Sequence, residues 1–397
     1  MCVARVRDMQ RRTFLASALA TLAASTVIGR TAAAQSNVTN KTRWKVRASE
    51  GFDALAFLGP LSGQELYTRY YGADATAFAA RLPEAMRNEI VKLSSDATKE
   101  GYGLLGPNLS VLFSTNGNDA TLDTLLAALK ARNQRMLPTY QASPYWDEKD
   151  WAWFDSHAAR LEAVFTAMRD VDFAAFRAER TGSALDVRVA DVQRSLNSFD
   201  VITWQEKLTG RTFDPTIEIV LLQFSKPHGI KVQGQTFLQA TDYDVATTVR
   251  IAAHEMLHPP VPMDGPVALA ALKVLERDAL IMKIVREHDP RWGYTTLEGV
   301  LNEDLCEALD QLISEALGVG RNPADRWRKQ DDGMHVLAAG LYGLLRQDRW
   351  VDTGGNIETW LDEATRKGRL APAVLHPVAS RVLERPVDKL WPLSPAK

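Results

Sequence analysis

Apolar residues recur three and four positions apart over much of the first half of the chain, which is the spacing of amphipathic helices. The pattern is clear over residues 75–93, 120–131 and 157–178. Residues 101–118 contain several glycines, a proline and three asparagines, so we expect a connection there. The first half of the chain is therefore predicted to be mostly helical.

The pattern changes after Gly210. Residues 217–222 and 234–240 have the apolar, β-branched and alternating character of strands. Residues 226–229 between them, Lys-Pro-His-Gly, are typical of a turn. A small β-sheet is therefore predicted in the second half of the chain.

Two helices are predicted to follow these strands. The first begins with a capping-box-like pair, Thr241 and Asp244, and should end just after His258, because Pro259 cannot donate to a helical ladder. The second carries a stripe of apolar residues over 297–316.

These elements predict an α+β protein divided into three parts. Residues 1–34 form a signal peptide, residues 35–209 a mostly helical N-terminal region, and residues 210–397 a region with the small sheet and the two helices. We expect the helical region to pack on the second region, with a cleft between them.

Residues 1–34 have the composition of an export signal. Residues 11–16, Arg-Arg-Thr-Phe-Leu-Ala, resemble a twin-arginine signal, an apolar run continues to Ile28, and small residues precede Gln35. That run is shorter than the about 18 residues that a membrane span requires. We therefore expect cleavage near Ala34, a periplasmic or secreted product, and no membrane span in the mature chain.

Charge and cysteine content narrow the classes of function further. The 397 residues include 47 Lys and Arg against 49 Asp and Glu, a net charge of −2, so we expect no nucleic-acid partner. Cys2 lies in the predicted signal, which leaves Cys306 without a partner for an internal disulfide.

Residues 254–258, His-Glu-Met-Leu-His, form the pattern H-E-x-x-H on the first predicted helix. His254 and His258 are four residues apart on one face, where both imidazoles can bind one zinc ion. Glu255 lies beside them in the position of a general base. The pattern predicts a zinc site, and the alternative is a pair of structural histidines.

A catalytic zinc ion usually has three protein ligands and an open position. The best third candidate is Glu303, which follows Asn302 on the second predicted helix, and Glu307 lies one turn later. A solvated acidic helix face is the alternative interpretation of these two glutamates.

Other third ligands stay open. Asp264 lies six residues after His258, where the metzincin branch of zinc peptidases has its third ligand, but Val261 replaces the glycine that turns the chain in that branch. Glu298, Glu307 and the Cys306 thiolate are further alternatives.

The H-E-x-x-H pattern followed by Asn302-Glu303 resembles the gluzincin branch of zinc metallopeptidases, over about residues 215–320. The resemblance implies a zincin-like catalytic region whose two helices hold Zn²⁺ through His254, His258 and Glu303. The gap between the two helices is longer than in thermolysin, and the Gly-x-Met-x-Asn segment of aminopeptidases is absent.

The same resemblance implies a carboxylate that supports a ligand histidine, and it implies an activity. In thermolysin-like members a carboxylate four residues after the third ligand bonds a ligand histidine, and Glu307 matches that position. The implied function is zinc-dependent hydrolysis of peptide bonds in a peptide or protein substrate, with Glu255 activating a zinc-bound water. The alternative is a non-catalytic exported binding protein on a zincin-like scaffold.

The sequence leaves the group that stabilises the oxyanion open among Tyr294, His335 and Tyr342. By analogy with zincins, the strand around residues 237–240 is expected to align an extended peptide through main-chain hydrogen bonds.

Overall fold

The computed structural model describes residues 40–392, with the exception of the side chain of Arg291. The predicted signal peptide, residues 1–34, lies outside the described residues. Within them the chain is mostly helical and carries a small mixed sheet, as expected for an α+β protein.

The strands and helices are bounded as follows. The strands are β1 (Arg43–Ala48), β2 (Thr216–Leu222), β3 (Gly229–Lys231) and β4 (Thr236–Ala240). The helices before β2 are α1 (Glu50–Leu61), α2 (Glu65–Ala79), α3 (Glu84–Lys99), α4 (Gly106–Asn116), α5 (Leu122–Lys130), α6 (Leu137–Ala142), α7 (Glu148–Asp170), α8 (Phe173–Thr181), α9 (Ala184–Leu196) and α10 (Val201–Thr209). Those after β4 are α11 (Val245–Glu255), α12 (Pro266–Leu275), α13 (Ala279–Glu287), α14 (Leu297–Ala316), α15 (Pro323–Lys329), α16 (Val336–Gln347), α17 (Trp350–Thr353), α18 (Ile357–Arg366) and α19 (Pro372–Leu383).

The four strands lie side by side in the order β1-β2-β4-β3. β1 and β4 both pair with β2 in parallel, and β3 pairs with β4 antiparallel. The two predicted strands are confirmed as β2 and β4. The turn predicted over residues 226–229 lies between β2 and β3, and the sequence did not predict the short strand β3 itself.

The sheet separates two hydrophobic cores. Ile217, Ile219 and Phe237 pack on one face with α9 to α14 and the helices that follow. Val220 and Leu238 pack on the other face with α1 to α8. Alternate residues of the same strands therefore serve opposite cores, as the two-residue period of a strand requires.

The boundary predicted at residue 209 does not separate these two cores. Trp44 and Val46 of β1, with Val192 of α9 and Leu208 of α10, belong to the core that also contains α11 and α14. The parallel pairing of β1 with β2 draws the start of the chain into the sheet. Residues 40–209 are thus divided between both cores.

The connection predicted over residues 101–118 is wrong, because much of it is helix α4. Pro107 lies in the first turn, where its missing N–H costs no helical hydrogen bond. Leu109, Val111 and Leu112 are buried on one side of this helix, and their packing outweighs the turn-forming residues around them.

The outer edge of β1 is closed by a side chain. The amide of Gln193, on α9, accepts a hydrogen bond from the Val46 N–H at 3.0 Å and donates one to the Trp44 carbonyl at 2.9 Å. Gln193 thus replaces a neighbouring strand at this edge. β3 forms the opposite edge of the sheet.

Helices α11 and α14 pack against each other beside the sheet. The predicted second helix is confirmed as α14, and every residue from Gly299 to Ser314 is buried. Among the helices of residues 40–392, none combines the length and apolar character that a membrane crossing requires.

Candidate metal centre

Helix α11 carries the first two residues of the centre. It begins at Asp244, whose side chain accepts a hydrogen bond from the Thr247 N–H. The predicted end after His258 is three residues too late, because the regular helix ends at Glu255. The Leu257 N–H bonds the carbonyl of His254, so the chain turns more tightly there.

This tight turn brings the two histidines together although His258 lies beyond the helix. The two Nε2 atoms of His254 and His258 are 3.0 Å apart. Glu303 of α14 lies within reach of both, with Oε1 at 3.3 Å from the His254 Nε2 and Oε2 at 3.4 Å from the His258 Nε2. The three predicted ligands therefore meet at one point, and we call this set the metal centre.

The geometry of the metal centre fits a metal ion. Two atoms that bind one tetrahedral zinc ion, each at about 2.0 to 2.1 Å, lie about 3.3 Å from each other. The separations in the structure, from 3.0 to 3.4 Å, are close to that value, and each histidine faces a different oxygen of Glu303. All three residues can place one donor atom around a single ion. Two imidazoles and one carboxylate are also a donor set found in catalytic zinc sites.

The carboxylate that supports His254 is Asp310, and the expected role of Glu307 in that contact is wrong. Asp310 Oδ2 lies 2.7 Å from His254 Nδ1. Glu307 instead accepts hydrogen bonds from the side chains of Trp327 and Gln330. Because α14 runs past α11, the residue two turns after Glu303, and not the one a single turn after it, reaches the far side of His254.

Asp310 and Glu307 share a cation on α15. Nη2 of Arg326 lies 2.9 Å from Asp310 Oδ2 and 2.6 Å from Glu307 Oε2. His254, Glu307 and Asp310 are also close enough together to hold a metal ion. The guanidinium of Arg326 already supplies the positive charge of that second group, so the first group is the better candidate to hold a metal ion.

Different groups surround His258. The Cys306 Sγ lies 3.3 Å from its Nδ1, and the Lys231 ammonium donates to its main-chain carbonyl at 3.1 Å. The guanidinium of Arg211 donates to the carbonyls of Pro259 and Pro260. Two cationic side chains therefore hold the turn that carries His258.

Cys306 is buried and its burial raises the pKa of the thiol well above the ordinary value. The thiol lies on Nδ1 of His258, whereas the metal centre is formed by Nε2 of the same ring. Among the described residues, Cys306 does not join a metal-holding group.

Glu255 lies next to both the metal centre and the edge of the sheet. Its Oε2 accepts a hydrogen bond from the main-chain N–H of Lys231 at 3.3 Å. Burial raises the pKa of Glu255, and the neighbouring charges of His254 and His258 oppose that rise. A buried carboxylate of raised pKa beside a metal centre has the properties of a proton acceptor.

Burial and charge act in opposite directions on the ligands themselves. Burial lowers the pKa of His254, but the carboxylates of Glu303 and Asp310 raise it well above the ordinary value. Burial raises the pKa of Glu303, and the two imidazoles bring it well below the ordinary value. Without a metal ion the carboxylates thus favour a proton on His254, and a metal ion would replace that proton.

The other candidates for a third ligand lie apart from the two histidines. Asp264 is exposed. Burial raises the pKa of Glu298, and the negative charge of Asp264 raises it further. Neither of them joins a metal-holding group among the described residues. The structure thus brings Glu303 to the histidines, and not Asp264 or Glu298.

Two of the three candidates for stabilising an oxyanion are engaged elsewhere. His335 is fully buried between Asp304 Oδ1, 2.7 Å from its Nδ1, and Asp331 Oδ2, 3.1 Å from its Nε2. The Tyr342 hydroxyl donates to Glu315, three turns along α14 from Glu303. Tyr294 is buried before α14, with its ring centroid 6.4 Å from that of His335.

The expected substrate strand is wrong, because β4 has no open edge. β2 and β3 flank β4 on its two sides. The Val232 N–H donates a hydrogen bond to the Thr236 carbonyl, toward β4. Main-chain groups alternate in direction along a strand, so the N–H and carbonyl of Lys231 point away from β4. The Lys231 N–H meets Glu255 there, so the edge beside the metal centre is β3.

Sequence reasoning missed Asp310, Arg326 and Lys231. The spacing of Asp310, two turns after Glu303, was a usable signal, because residues seven apart share a helix face. Arg326 and Lys231 come from other elements, and the sequence alone does not pair them with α11.

Comparison of the chain with protein-family models, with curated proteins and with solved structures gives no match. The case for a function therefore rests on the residues and geometry described above.

Proposed function

We propose that this protein is a zinc metallopeptidase of the gluzincin type. The observation that carries the proposal is the meeting of His254 Nε2, His258 Nε2 and a Glu303 carboxylate within 3.4 Å of one another, with Glu255 beside them. A structural zinc ion would usually have four protein ligands, whereas the described residues bring three together here, which favours a catalytic ion.

The chemistry divides between the ion and the chain. When bound, zinc would lower the pKa of a coordinated water to roughly 7 and polarise the substrate carbonyl. Glu255 accepts the proton of the attacking water and later delivers it to the leaving amine. The Lys231 N–H keeps the Glu255 carboxylate at the edge of β3 during both transfers. His254 and His258 present Nε2 to the centre, and Asp310 supports the first of them through Nδ1.

The arrangement of the sheet supports a peptide as substrate. β3 is the end strand of the described sheet and lies next to Glu255, which already accepts a hydrogen bond from its Lys231 N–H. An extended peptide can add to such a strand through its other outward-facing main-chain groups. This would place a peptide carbonyl beside the metal centre. The export signal expected over residues 1–34 supports a periplasmic or secreted site of action.

The test combines metal content with hydrolysis. The wild-type protein, dialysed extensively, should hold about one zinc ion per chain, and Glu303→Ala should lose most of it. Glu255→Gln should keep the metal and lose hydrolysis of a peptide library by at least about a hundredfold, because the proton acceptor is removed. Asp264→Asn and Glu298→Gln are matched controls, since both remove a nearby carboxylate that lies outside the centre.

Three results would contradict the proposal. If the wild-type protein binds no metal after zinc is resupplied, the proposed metal centre is excluded. Full metal content in Glu303→Ala would remove Glu303 from it. Metal content of one without any hydrolysis by the wild type would favour the binding protein on a zincin-like scaffold.

A further inference from the structure

We propose that Arg326 is a positioning residue of the metal centre, whose guanidinium fixes the Asp310 carboxylate against His254 and so strengthens metal binding. The inference rests on the metal centre of the proposed function. It adds a residue that is not among the three that meet at the metal centre and that belongs to a separate helix, α15.

The contacts form one continuous path. The Asp310 Oδ2 that faces His254 Nδ1 at 2.7 Å also accepts from Arg326 Nη2 at 2.9 Å. The other Asp310 oxygen, Oδ1, accepts from Arg326 Nη1. Arg326 therefore holds both oxygens of Asp310 at once, and rotation of this carboxylate away from His254 would break two charged hydrogen bonds.

Arg326 is itself held on several sides. Its Nη1 also donates to the Gln311 amide at 3.0 Å, and its Nη2 lies 2.6 Å from Glu307 Oε2. Glu307 accepts a further hydrogen bond from Trp327, at 2.7 Å. Only 7% of Arg326 is exposed. Both carboxylates are therefore paired inside the protein, and the guanidinium has little freedom to leave them.

This path determines which nitrogen of His254 faces the metal centre. A neutral imidazole carries one proton, and with Asp310 accepting at Nδ1 that proton stays on Nδ1. The lone pair of Nε2 is then directed toward His258 and Glu303. A carboxylate in this position fixes the orientation of the ring and increases its strength as a ligand.

Only an arginine can make this arrangement. The guanidinium is planar and presents its donors as a fork, which matches the two oxygens of a carboxylate. A lysine at position 326 would keep the positive charge but not the two-point contact. The comparison of arginine with lysine therefore separates orientation from charge.

The experiment measures metal affinity in the full chain. Arg326→Lys should bind zinc about tenfold to a hundredfold more weakly than the wild type, in competition with a chromophoric chelator. Cobalt(II) substituted into the variant should show a shifted visible spectrum, since a rotated His254 ring changes the ligand field. Arg328→Lys is the matched control, because Arg328 lies on the same helix in partly exposed ion pairs, and should change neither readout.

A double-mutant cycle shows whether Arg326 acts through Asp310 and guards against a folding defect. Asp310→Asn should weaken metal binding by a similar factor, and Arg326→Lys should add little in that background. Thermal unfolding of the metal-free variants identifies any that do not fold. If Arg326→Lys is one of them, the path is tested with Asp310→Asn, which keeps the shape of the side chain.

Affinity and cobalt spectrum unchanged in Arg326→Lys would overturn the inference while leaving the metal centre intact. The inference would also be overturned if the double variant lost zinc affinity by the product of the two single factors, because Arg326 would then act independently of Asp310. Failure of the wild type to bind metal would instead count against the proposed function.

Discussion

Burial gives His228 a different character from the ligand histidines. It is 4% exposed, and its Nε2 lies 3.1 Å from the Tyr67 hydroxyl. Burial, aided by the charge of Arg69, lowers the pKa of His228 to about 4. Because the unfolded chain has a histidine pKa of about 6.5, the unfolded state binds this proton more readily than the folded state does.

We expect His228 to make the protein less stable as the pH falls. Above pH 6.5 the free energy of unfolding carries no cost from His228, which is neutral in both states. Between pH 6.5 and pH 4 the free energy of unfolding falls, and the full loss is about 3 kcal/mol. Urea titrations at pH 7 and pH 4.5 measure the decrease in the free energy of unfolding between the two pH values. That decrease should be about 2 kcal/mol smaller in His228→Gln than in the wild type. Equal losses in both proteins would exclude His228 as the cause.

The two ligand histidines are held by unequal partners. His254 lies on regular helix and meets the ionised pair of Asp310 and Arg326. His258 lies beyond the helix end and meets the Cys306 thiol, a weaker hydrogen-bonding group. The turn at His258 is held instead through its carbonyls, by Lys231 and Arg211.

At this scale the sequence predicted which residues meet at the candidate metal centre better than it predicted the groups that support them. His254, His258 and Glu303 were accessible because the helical period relates ligands on one helix, and the family resemblance adds the second helix. Asp310 was missed because its contact depends on the angle at which α14 crosses α11. The spacing of seven residues places Asp310 on the helix face of Glu303. The crossing angle, which is set by packing, decides whether Asp310 or Glu307 reaches His254.

Strand β3 and helix α11 approach each other closely at Gly229. A Cβ at this position would lie 2.7 Å from Cδ1 of Ile251, on the turn of α11 before His254. Any side chain there would separate the edge strand from the helix that carries the metal ligands. A glycine is therefore required by space and not by backbone conformation.

Gly229→Ala should destabilise the protein by about 1 to 3 kcal/mol, because the added methyl group overpacks the contact. The double variant Gly229→Ala, Ile251→Ala should be more stable than the sum of the single effects by at least about 1 kcal/mol, in urea unfolding. Gly72→Ala on α2 is the control, since its Cβ would lie 3.7 Å from the nearest atom. Additive effects at Gly229 and Ile251 would contradict the steric explanation.

Elements that depend on long-range pairing were the ones the sequence did not predict. β1 precedes a long helical region, and nothing local indicates that it will pair with β2 across more than a hundred residues. β3 has three residues and is defined by its contact with β4 alone. In contrast, the apolar stripe predicted over residues 297–316 covers α14 from end to end, since its apolar positions recur at the helical period.

The whole molecule is organised around a sheet with a core on each face. β1, α9 and α10 belong to the early part of the chain but complete the core of the metal centre. The Gln205 amide of α10 also donates to the carbonyls of Ala252 and Ala253, on α11 next to His254. The early chain therefore supports the helix that carries the ligands.

A fragment of residues 210–392 should consequently fail to fold. It lacks β1, which covers one side of β2, and the side chains of α9 and α10 that fill the core. Exposure of that apolar surface to water removes the main driving force for folding. Circular dichroism and zinc binding test this, with residues 40–392 as the control. Cooperative unfolding of the fragment together with one bound zinc ion would show that residues 210–392 form an independent domain.

The burial of α14 has a consequence for how this protein tolerates mutation. Since no residue from Gly299 to Ser314 reaches the surface, the helix has no side on which substitution is harmless. A complete substitution scan of an ordinary amphipathic helix shows permissive positions with a period of about 3.6 residues. Along α14 this periodicity should be absent, and the tolerated substitutions should be those that conserve volume and charge at each position.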